Sequence, residues 1–499
     1  MKTNLLHICI VSLAAIIVFI SCKKETPAST PRRAIAYAGA DRLLMLPLDS
    51  ALLDGSRSIN PGGIINGWSW TKISGPASFT IVNSSAAKTT IKNLTSGTYQ
   101  FELKVTYGAG LFSRDTVQIW VLDMGACNQL PLNITSGSAT LTPFGSLSSA
   151  RTVLPVTAAD KLVFAGGHIG NNIYSDEVDI YNFSTNTWSS AKLSKAEAKT
   201  NITLGNKIVF VGKTVIDVYD AASNTWAASP NLTGVAPLAA INNKVFFGGG
   251  GLTSTQLNIY DLASNTWSTA SLSEGRAGIT AITVGDKIIF AGGYKKLDGD
   301  DYPDDLSKAV DIYNASTNSW STSQLPTAAF GASAAATGNK VMFHFENTPD
   351  YVSIYDIAAN SWSTAPLSNP RYYTKVISIG NKILVVGGSK SFSASAIVDI
   401  YDATSNSWST TNLNYPGTVV WSAALGNKLL ISNNSGYGVG NVFDVYDAST
   451  NTMSAIRLNY RLVSFPVVAD NKIFFGGGNV GDIDGNYLFG SCQVWKLQF

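Results

Sequence analysis

Residues 310–320 read Val310-Asp311-Ile312-Tyr313-Asn314-Ala315-Ser316-Thr317-Asn318-Ser319-Trp320, and this phrase recurs along the chain. A β-strand ending in tyrosine, a polar turn and a return strand carrying tryptophan together predict a β-hairpin. Six copies place a tryptophan seven positions after the tyrosine, and a seventh copy, Tyr446/Met453, keeps the spacing without the tryptophan. The six are Tyr181/Trp188, Tyr219/Trp226, Tyr260/Trp267, Tyr313/Trp320, Tyr355/Trp362 and Tyr401/Trp408.

A second phrase alternates with the first and begins with a lysine followed by an apolar run, as in Lys287-Ile288-Ile289-Phe290-Ala291-Gly292-Gly293. Such short runs, rich in β-branched and aromatic residues, favour strands buried on both faces. Glycine pairs close five runs, at 166–167, 248–249, 292–293, 387–388 and 476–477. The eight lysines are Lys161, Lys207, Lys244, Lys287, Lys340, Lys382, Lys428 and Lys472.

The two phrases repeat together about every 40–50 residues, which is typical of a β-propeller with four-stranded blades. Eight lysine-led strands predict eight blades; the alternative is seven, with one such strand outside the ring. The eighth unit ends one strand short, and residues 139–147 are predicted to supply that strand. Both chain ends then meet in one blade, so that no sheet edge stays open.

The glycine pairs, the Tyr-Asp and Asn-Thr-Trp phrases and the arginine that opens several units resemble the kelch repeat over about residues 138–499. This resemblance implies an all-β propeller domain, for which we predict the bounds 124–499. It also implies that the loops opening each unit, together with the loops between second and third strands, form a binding face.

A second domain is predicted at residues 34–123, where short alternating strand patterns are separated by turn signals such as Asp54-Gly55 and Ser96-Gly97. This spacing favours a β-sandwich. Residues 38–41, 53–56, 68–70 and 97–99 resemble those of a PKD-type immunoglobulin-like domain. The resemblance implies a spacer or an adhesive surface.

The N-terminus has a lysine, an apolar run from Leu5 to Ile20 and then Ser21-Cys22, which indicates a secretory signal. It resembles a bacterial lipoprotein signal, which implies residues 1–22 as the signal and lipid-attachment segment, with Cys22 lipidated. Residues 23–33 are then a polar tether. The predicted location is the bacterial cell envelope, on the outer membrane and either periplasmic or surface-exposed.

Two thiols remain in the mature chain, Cys127 and Cys492, if Cys9 leaves with the signal and Cys22 carries lipid. An exported protein meets an oxidising space, so we predict a disulfide bond between them that closes the propeller. The alternative is a pair of free buried thiols.

The ligand-binding candidates lie in the loops of the predicted binding face. Arginine with neighbouring aromatic residues suits carboxylates or sugars, and the alternative is that the arginines brace adjacent blades. Two histidines fall at or just after second strands, and rim histidines are also common as plain loop residues. The candidates are Arg151, Arg276, Arg371, Arg461, Tyr372, Tyr373, Trp421, Tyr460, His168 and His344.

Two acidic loops are candidates for calcium, because alternating aspartates around a glycine supply the oxygens that this ion prefers. They contain Asp298 and Asp300 in the fourth unit, and Asp482 and Asp484 in the eighth. The alternative is a pair of solvated loops. No other cofactor and no catalytic residue is predicted.

These features predict a lipid-anchored binding protein that recognises an envelope or extracellular protein or glycan through its loop face. The alternatives are a carbohydrate-active enzyme, such as a kelch-type sugar mutarotase, and a structural envelope component. A formal net charge of +2, from 35 basic and 33 acidic residues, gives no basic footprint for nucleic acid. Contact with the membrane is expected only through the lipid anchor.

Overall fold

The computed structural model describes residues 33–46, 49–123, 132, 134–170, 173–198, 200–231, 237–248, 252, 254–297, 303–391, 393–434, 441–459, 461–481 and 487–499. All regular structure in these segments is β-strand. The chain divides into two compact units, one ending at Val121 and one beginning at Leu122. No helix in the described segments has the length and hydropathy needed to span a membrane.

The first unit contains two sheets that enclose a core of aliphatic and aromatic residues. One sheet has the order β1-β7-β6-β3 and the other the order β2-β5-β4. Along β6 the buried and part-buried residues alternate, as expected for a strand with one face on a core. The strands are β1 (Arg42–Leu46), β2 (Ala51–Asp54), β3 (Ile65–Ser74), β4 (Thr80–Ile81), β5 (Lys88–Lys92), β6 (Gly97–Tyr107) and β7 (Leu111–Asp123).

The second unit begins with β8 (Ile134–Ser136) and β9 (Thr140–Ser146). Within the described residues it has eight sheets of four or five strands, which we number 1 to 8 in chain order, and three smaller sheets in their loops. Sheet 1 is built from β10 (Thr152–Ala158), β11 (Lys161–Gly170) with its side strand β12 (Ile173–Tyr174), β13 (Glu177–Asn182) and β14 (Thr187–Lys192), and sheet 2 from β15 (Thr200–Leu204), β16 (Lys207–Val211), β17 (Val215–Asp220) and β18 (Thr225–Pro230). Sheet 3 is built from β19 (Pro237–Ile241), β20 (Lys244–Phe247), β21 (Gln256–Asp261) and β22 (Thr266–Ser271). Sheet 4 is built from β23 (Thr280–Val284), β24 (Lys287–Ala291), β27 (Ala309–Asn314) and β28 (Ser319–Gln324), with the loop hairpin β25 (Tyr294–Leu297) and β26 (Pro303–Leu306) between its second and third strands.

Sheets 5 to 8 follow the same plan, with further short strands in the loops of sheets 6 and 8. Sheet 5 is built from β29 (Ala332–Thr337), β30 (Lys340–Phe345), β31 (Tyr351–Asp356) and β32 (Ser361–Pro366), and sheet 7 from β39 (Thr418–Leu425), β40 (Lys428–Asn434), β41 (Val442–Asp447) and β42 (Thr452–Leu458). Sheet 6 is built from β33 (Lys375–Ile379), β34 (Lys382–Val386), β37 (Ile397–Asp402) and β38 (Ser407–Asn412), with the loop hairpin β35 (Ser389–Lys390) and β36 (Ser393–Ala394). Sheet 8 is built from β44 (Pro466–Ala469), β45 (Lys472–Gly476) and β48 (Gln493–Gln498), with the loop strands β43 (Arg461–Val463), β46 (Asn479–Gly481) and β47 (Tyr487–Gly490).

The N-terminal strands of this unit complete its last two sheets. As predicted for residues 139–147, β9 pairs antiparallel with β48 and forms the fourth strand of sheet 8. The shorter β8 pairs with β42 and adds a fifth strand to sheet 7, which the sequence did not predict. The first strands of consecutive sheets are neighbours, and β44 also lies beside β10. A closed ring of eight blades requires this succession, and the ring itself stays a prediction.

The predicted hairpins form with one register in all seven copies. Each tyrosine of the third strand lies directly opposite the tryptophan of the fourth, and Tyr446 lies opposite Met453. The asparagine five positions after each tyrosine has a φ between 50° and 60°, a conformation that asparagine tolerates better than most residues. Its side-chain oxygen accepts a hydrogen bond from the tyrosine hydroxyl. The recurring asparagine therefore has two roles: its backbone forms the turn, and its side chain holds the tyrosine hydroxyl.

Glycine pairs follow the second strands where the chain approaches a neighbouring segment closely. Gly292 and Gly293 have φ values of +64° and +114°, and an added Cβ would lie 2.3 Å from the Ala329 oxygen and 2.4 Å from the Ala277 oxygen, respectively. One predicted pair was wrong by one residue. Gly477 and Gly478 have positive φ values of +65° and +85°, whereas Gly476 ends β45.

Candidate functional site

Three predicted ligand-binding arginines are buried and hold their own sheets together. Arg151 is 0% exposed, Arg276 2% and Arg371 1%. The Nε of Arg276 donates to the backbone carbonyl oxygen of Gly292 at 2.8 Å. Its two Nη atoms donate to the backbone carbonyl oxygens of Glu274 and Phe290 at 3.0 and 3.4 Å. Arg151 and Arg371 donate to the equivalent carbonyls of their sheets.

Each of these guanidinium groups also pairs with a buried aspartate of the third strand. The Nη2 to Oδ2 distance is 2.7 Å for Arg151–Asp179, 2.7 Å for Arg276–Asp311 and 2.8 Å for Arg371–Asp399. The prediction that these arginines contact a ligand is therefore wrong, because burial and internal bonds leave them no surface to offer. The bracing role that was the alternative matches the geometry.

The arginines nevertheless locate one end of the sheets, which we call the loop rim. The residue after each arginine pairs with the residue after the glycine pair: Thr152 with His168, Ala277 with Tyr294, and Tyr372 with Ser389. These residues occupy equivalent positions at the same end of sheets 1, 4 and 6. At the loop rim, each of these sheets therefore has three equivalent positions: the buried arginine, the glycine turn and the residue that follows the glycine pair.

Two adjacent tyrosines on the loop rim of sheet 6 are exposed. Tyr372 is 42% exposed and Tyr373 is 64% exposed, with ring centroids 6.4 Å apart. Tyr373 has a φ of +55°, an uncommon conformation for a bulky residue, and such strain clusters at functional sites. The backbone of Tyr372 is fixed by reciprocal hydrogen bonds with Ser389 at 2.8 and 2.9 Å. Both tyrosines were predicted as binding residues, and among the described side chains of that set they are the two that are exposed.

A cavity of about 250 Å³ lies on the loop rim of sheet 1 and extends to sheet 2. Its wall includes His168, whose ring meets that of Tyr174 at a centroid distance of 5.4 Å. Asn201 and Phe465, the latter from the segment before β44, line the same cavity. The cavity therefore offers aromatic faces with a few polar groups, which is a common composition for a small ligand site.

His344 lies in the interior instead of on the rim, with 3% exposure. Its Nδ1 is 2.7 Å from the Thr374 hydroxyl oxygen. Burial, assisted by the nearby positive charge of Arg371, lowers the pKa of this imidazole to about 4. The prediction that His344 contacts a ligand on the rim is wrong, since its β30 strand carries it into the core.

The second unit is expected to lose stability as the pH falls from about 6.5 to about 4, because the unfolded His344 binds a proton in this window whereas the folded imidazole stays neutral. The loss is on the order of 3 kcal/mol at the acid end. Urea unfolding at several pH values checks this, with His344→Gln removing the effect and His168→Gln retaining it as the matched control. Equal pH dependence with and without His344 would contradict the assignment.

The other predicted site residues divide between the core and the undescribed segments. Trp421 is 8% exposed and packs against Phe443 and Phe475, so its predicted ligand role is wrong. The backbone of Arg461 lies in β43, opposite Gly481. The residues outside the described segments are Cys22, Cys127, Tyr460, Asp298, Asp300, Asp482 and Asp484.

Calcium binding by the acidic loops stays a prediction for that reason. Within the described residues there is no group of three or more His, Cys, Asp or Glu side chains that could hold a metal ion.

Two rim residues were missed from the sequence. Tyr294 and Tyr174 lie beside predicted residues, and Tyr294 packs edge-on against Phe330 with centroids 6.0 Å apart. Aligning the repeats on their glycine pairs would have found Tyr294, since it follows Gly293 as His168 follows Gly167.

Comparisons with known proteins match each unit separately. Residues 38–121 match a PKD domain family, and residues 370–413 match the Kelch motif. The chain is thus an all-β protein with an immunoglobulin-like PKD domain and a Kelch motif, a combination that indicates a protein-binding or adhesion-type role.

Similar curated proteins match short stretches of this chain. The dyslexia-associated protein KIAA0319 homolog of Rattus norvegicus is 40% identical over 87 residues, which are 17% of this chain and 8% of that protein. Low-density lipoprotein receptor-related protein 11 of Homo sapiens is 34% identical over 88 residues, 18% of this chain and 17% of that protein. The chain therefore spans a small part of these relatives.

Among solved structures, the computationally designed Ika8 protein is 12% identical, with a TM-score of 0.48, and the match covers 71% of this chain and 99% of that chain. The PKD domain from the KIAA 1837 protein is 34% identical, with a TM-score of 0.17, over 19% of this chain and 91% of that domain.

Proposed function

We propose that this protein is anchored in the bacterial cell envelope through a lipid on Cys22 and binds a protein or glycan through the loop rim. The observation that carries the binding role is the exposed pair Tyr372 and Tyr373, held on a fixed backbone in a strained conformation. Tyrosine offers a large, stiff contact surface with a polar end, which is why it is enriched at binding sites. The cavity at His168 extends the same rim on sheet 1.

The carbohydrate-active enzyme receives less support from the site. An acidic residue paired with an arginine in an open funnel would favour catalysis. The three described arginine–aspartate pairs are instead enclosed, with side-chain exposures of 8% or less. Exposed aromatic side chains at the rim favour binding.

A disulfide bond between Cys127 and Cys492 forms part of the same proposal, since it suits an exported protein. Cys492 is 2% exposed and directly precedes β48, the strand that pairs with β9. Its partner in the proposal lies outside the described residues.

The double variant Tyr372→Ala/Tyr373→Ala is expected to weaken partner binding by about tenfold to a hundredfold, because two contact side chains are truncated. A glycan array and a pull-down from envelope extract identify the partner, and titration of wild type and variant measures the affinity. The matched control is Leu52→Ala, a large apolar residue of the first unit that is 42% exposed, the same fraction as Tyr372. Unchanged binding by the double variant would contradict the role of this pair, whether or not other rim variants lose binding.

A further inference from the structure

Five large apolar side chains of the first unit are more than half exposed and belong to one end of its sandwich, which we call the apolar end. Apolar side chains exposed singly are ordinary, whereas a cluster calls for an occupant. The members are Ile35 at 57%, Ile59 at 53%, Ile64 at 77%, Leu111 at 58% and Phe112 at 52% exposure.

Backbone contacts join the isoleucines of this set. Ile35 and Ile59 exchange hydrogen bonds of 2.8 and 3.0 Å, which places their side chains next to each other. The Nδ2 of Asn60 donates to the Ile64 oxygen at 2.9 Å, so that the loop after Ile59 also holds Ile64.

The sheet joins the remaining members. Ile65 and Leu111 both lie opposite Tyr107, one on each side of β6, which puts Ile64 and Leu111 at the same end of three strands. The backbone nitrogen of Ala36 donates to the Ser113 hydroxyl at 3.2 Å, which brings the segment of Ile35 beside Phe112. These contacts therefore place all five residues at the same end of the sandwich.

Positive charges surround the apolar end. The Lys104 nitrogen and the Arg114 guanidinium lie 4.6 and 5.0 Å from the centre of the Phe112 ring. The nearby carboxylates are Glu102, paired with Arg114, and Asp115, which accepts from the Ala38 nitrogen. Two further exposed arginines each precede an isoleucine of the set by two positions: Arg33 and Arg57.

We propose that the apolar end rests on an anionic lipid surface, with its apolar side chains among the acyl chains and its cations at the phosphates. The combination of exposed apolar side chains and flanking Lys and Arg is the pattern of interfacial membrane binding. Lys104 and Arg114 can lay their stems along Phe112 and keep their charges in the headgroup layer.

The path of the chain into the first unit agrees with a lipid surface at the apolar end. This argument rests on the lipid anchor of the proposed function. Between Cys22 and Arg33 lie ten residues, which reach at most about 40 Å when extended and on average roughly 20 Å when flexible. Residues 36–41 then run beside β7 from Ser113 to Gln118, so the chain enters the unit at the apolar end. It leaves at the far end of β7, about 40 Å away for a strand of 13 residues.

The test uses the mature chain carrying Cys22→Ser, which has no acyl chains, and vesicles of phosphatidylcholine with or without phosphatidylglycerol. Co-sedimentation is expected to show binding to the anionic vesicles that weakens with added salt. Ile64→Ser/Leu111→Ser should lower the partition coefficient by roughly tenfold. Ile73→Ser/Val82→Ser, which removes side chains of 52% and 58% exposure elsewhere on the same unit, should change it less than about twofold.

Two outcomes would overturn the proposal: no binding to anionic vesicles, or equal losses in the two double variants. Self-association of the chain that only Ile64→Ser/Leu111→Ser abolishes, without vesicle binding, would assign the apolar end to a second copy and also overturn it. The anchor is tested separately by membrane fractionation of cells that make the wild type or Cys22→Ser. Release of Cys22→Ser from membranes supports the anchor whatever the vesicles show, and retention after high-salt washing refutes the anchor alone.

Discussion

Replacing Arg276 by methionine is expected to lower the free energy of unfolding of the second unit by about 3–5 kcal/mol, because the buried Asp311 carboxylate loses its cation. The side chains of this pair are 0% and 4% exposed. The carbonyl oxygens of Glu274, Phe290 and Gly292 lose a donor at the same time. Urea unfolding followed by tryptophan fluorescence measures the change, with the transition of the second unit fitted separately from that of the first.

Two controls separate loss of the ion pair from loss of packing. Arg276→Met/Asp311→Leu is expected to be less destabilised than Arg276→Met alone, since no buried charge then lacks a partner. Arg457→Met removes an exposed arginine of the same unit and should cost less than about 0.5 kcal/mol. A loss below about 1 kcal/mol for Arg276→Met would contradict the bracing role.

The hairpins could be predicted from the sequence because their determinants are local. Tyr313, Asn318 and Trp320 lie within eight residues, and the turn conformation, the tyrosine hydrogen bond and the cross-strand pair all form inside that stretch. The same local phrase in every copy gave the same register. Completion of sheet 8 by β9 was also predictable, because an eighth unit with one strand missing leaves one place for the N-terminal segment.

The arginines were misassigned because their environment is not local. Arg276 and Asp311 are 35 positions apart, and only the folded sheet shows that the loop arginine turns inward onto the third strand. A usable signal was nevertheless present: an aspartate stands two positions before the tyrosine in each unit whose arginine is buried, at Asp179, Asp311 and Asp399. Reading those aspartates as partners would have favoured the bracing role over ligand binding.

The rim was predicted in outline and the exposure of its side chains was not. The sequence pattern placed Trp421 and Tyr372 in loops that open successive units, yet Trp421 is 8% exposed and Tyr372 is 42% exposed. Trp421 lies inside β39 and faces Phe443 and Phe475, whereas Tyr372 precedes β33 at the end of its sheet. A shift of a few residues in where the first strand begins therefore decides between core and surface, and sequence patterns locate strand ends poorly.

Replacing Gly292 by alanine is expected to destabilise the second unit by about 2–5 kcal/mol, through two costs that add. A φ of +64° costs an alanine about 1–2 kcal/mol. The new methyl carbon would also lie 2.3 Å from the Ala329 oxygen, and forcing an overpacked site apart typically costs about 1–3 kcal/mol. The Ala329 oxygen cannot retreat freely, because it accepts a hydrogen bond from the Gly293 nitrogen at 2.7 Å.

Gly285→Ala is the matched control, because Gly285 lies in the same sheet with a φ of +56° and no atom within 4 Å of an added Cβ. It carries the backbone cost alone, so we expect a loss of about 1–2 kcal/mol. The difference between the two variants in urea unfolding isolates the close approach between the Gly292 turn and the segment that leads into sheet 5. Equal losses would show that the glycine is required only for its φ. A larger loss at Gly292 would show that this glycine sets how closely the turn of sheet 4 meets the segment entering sheet 5.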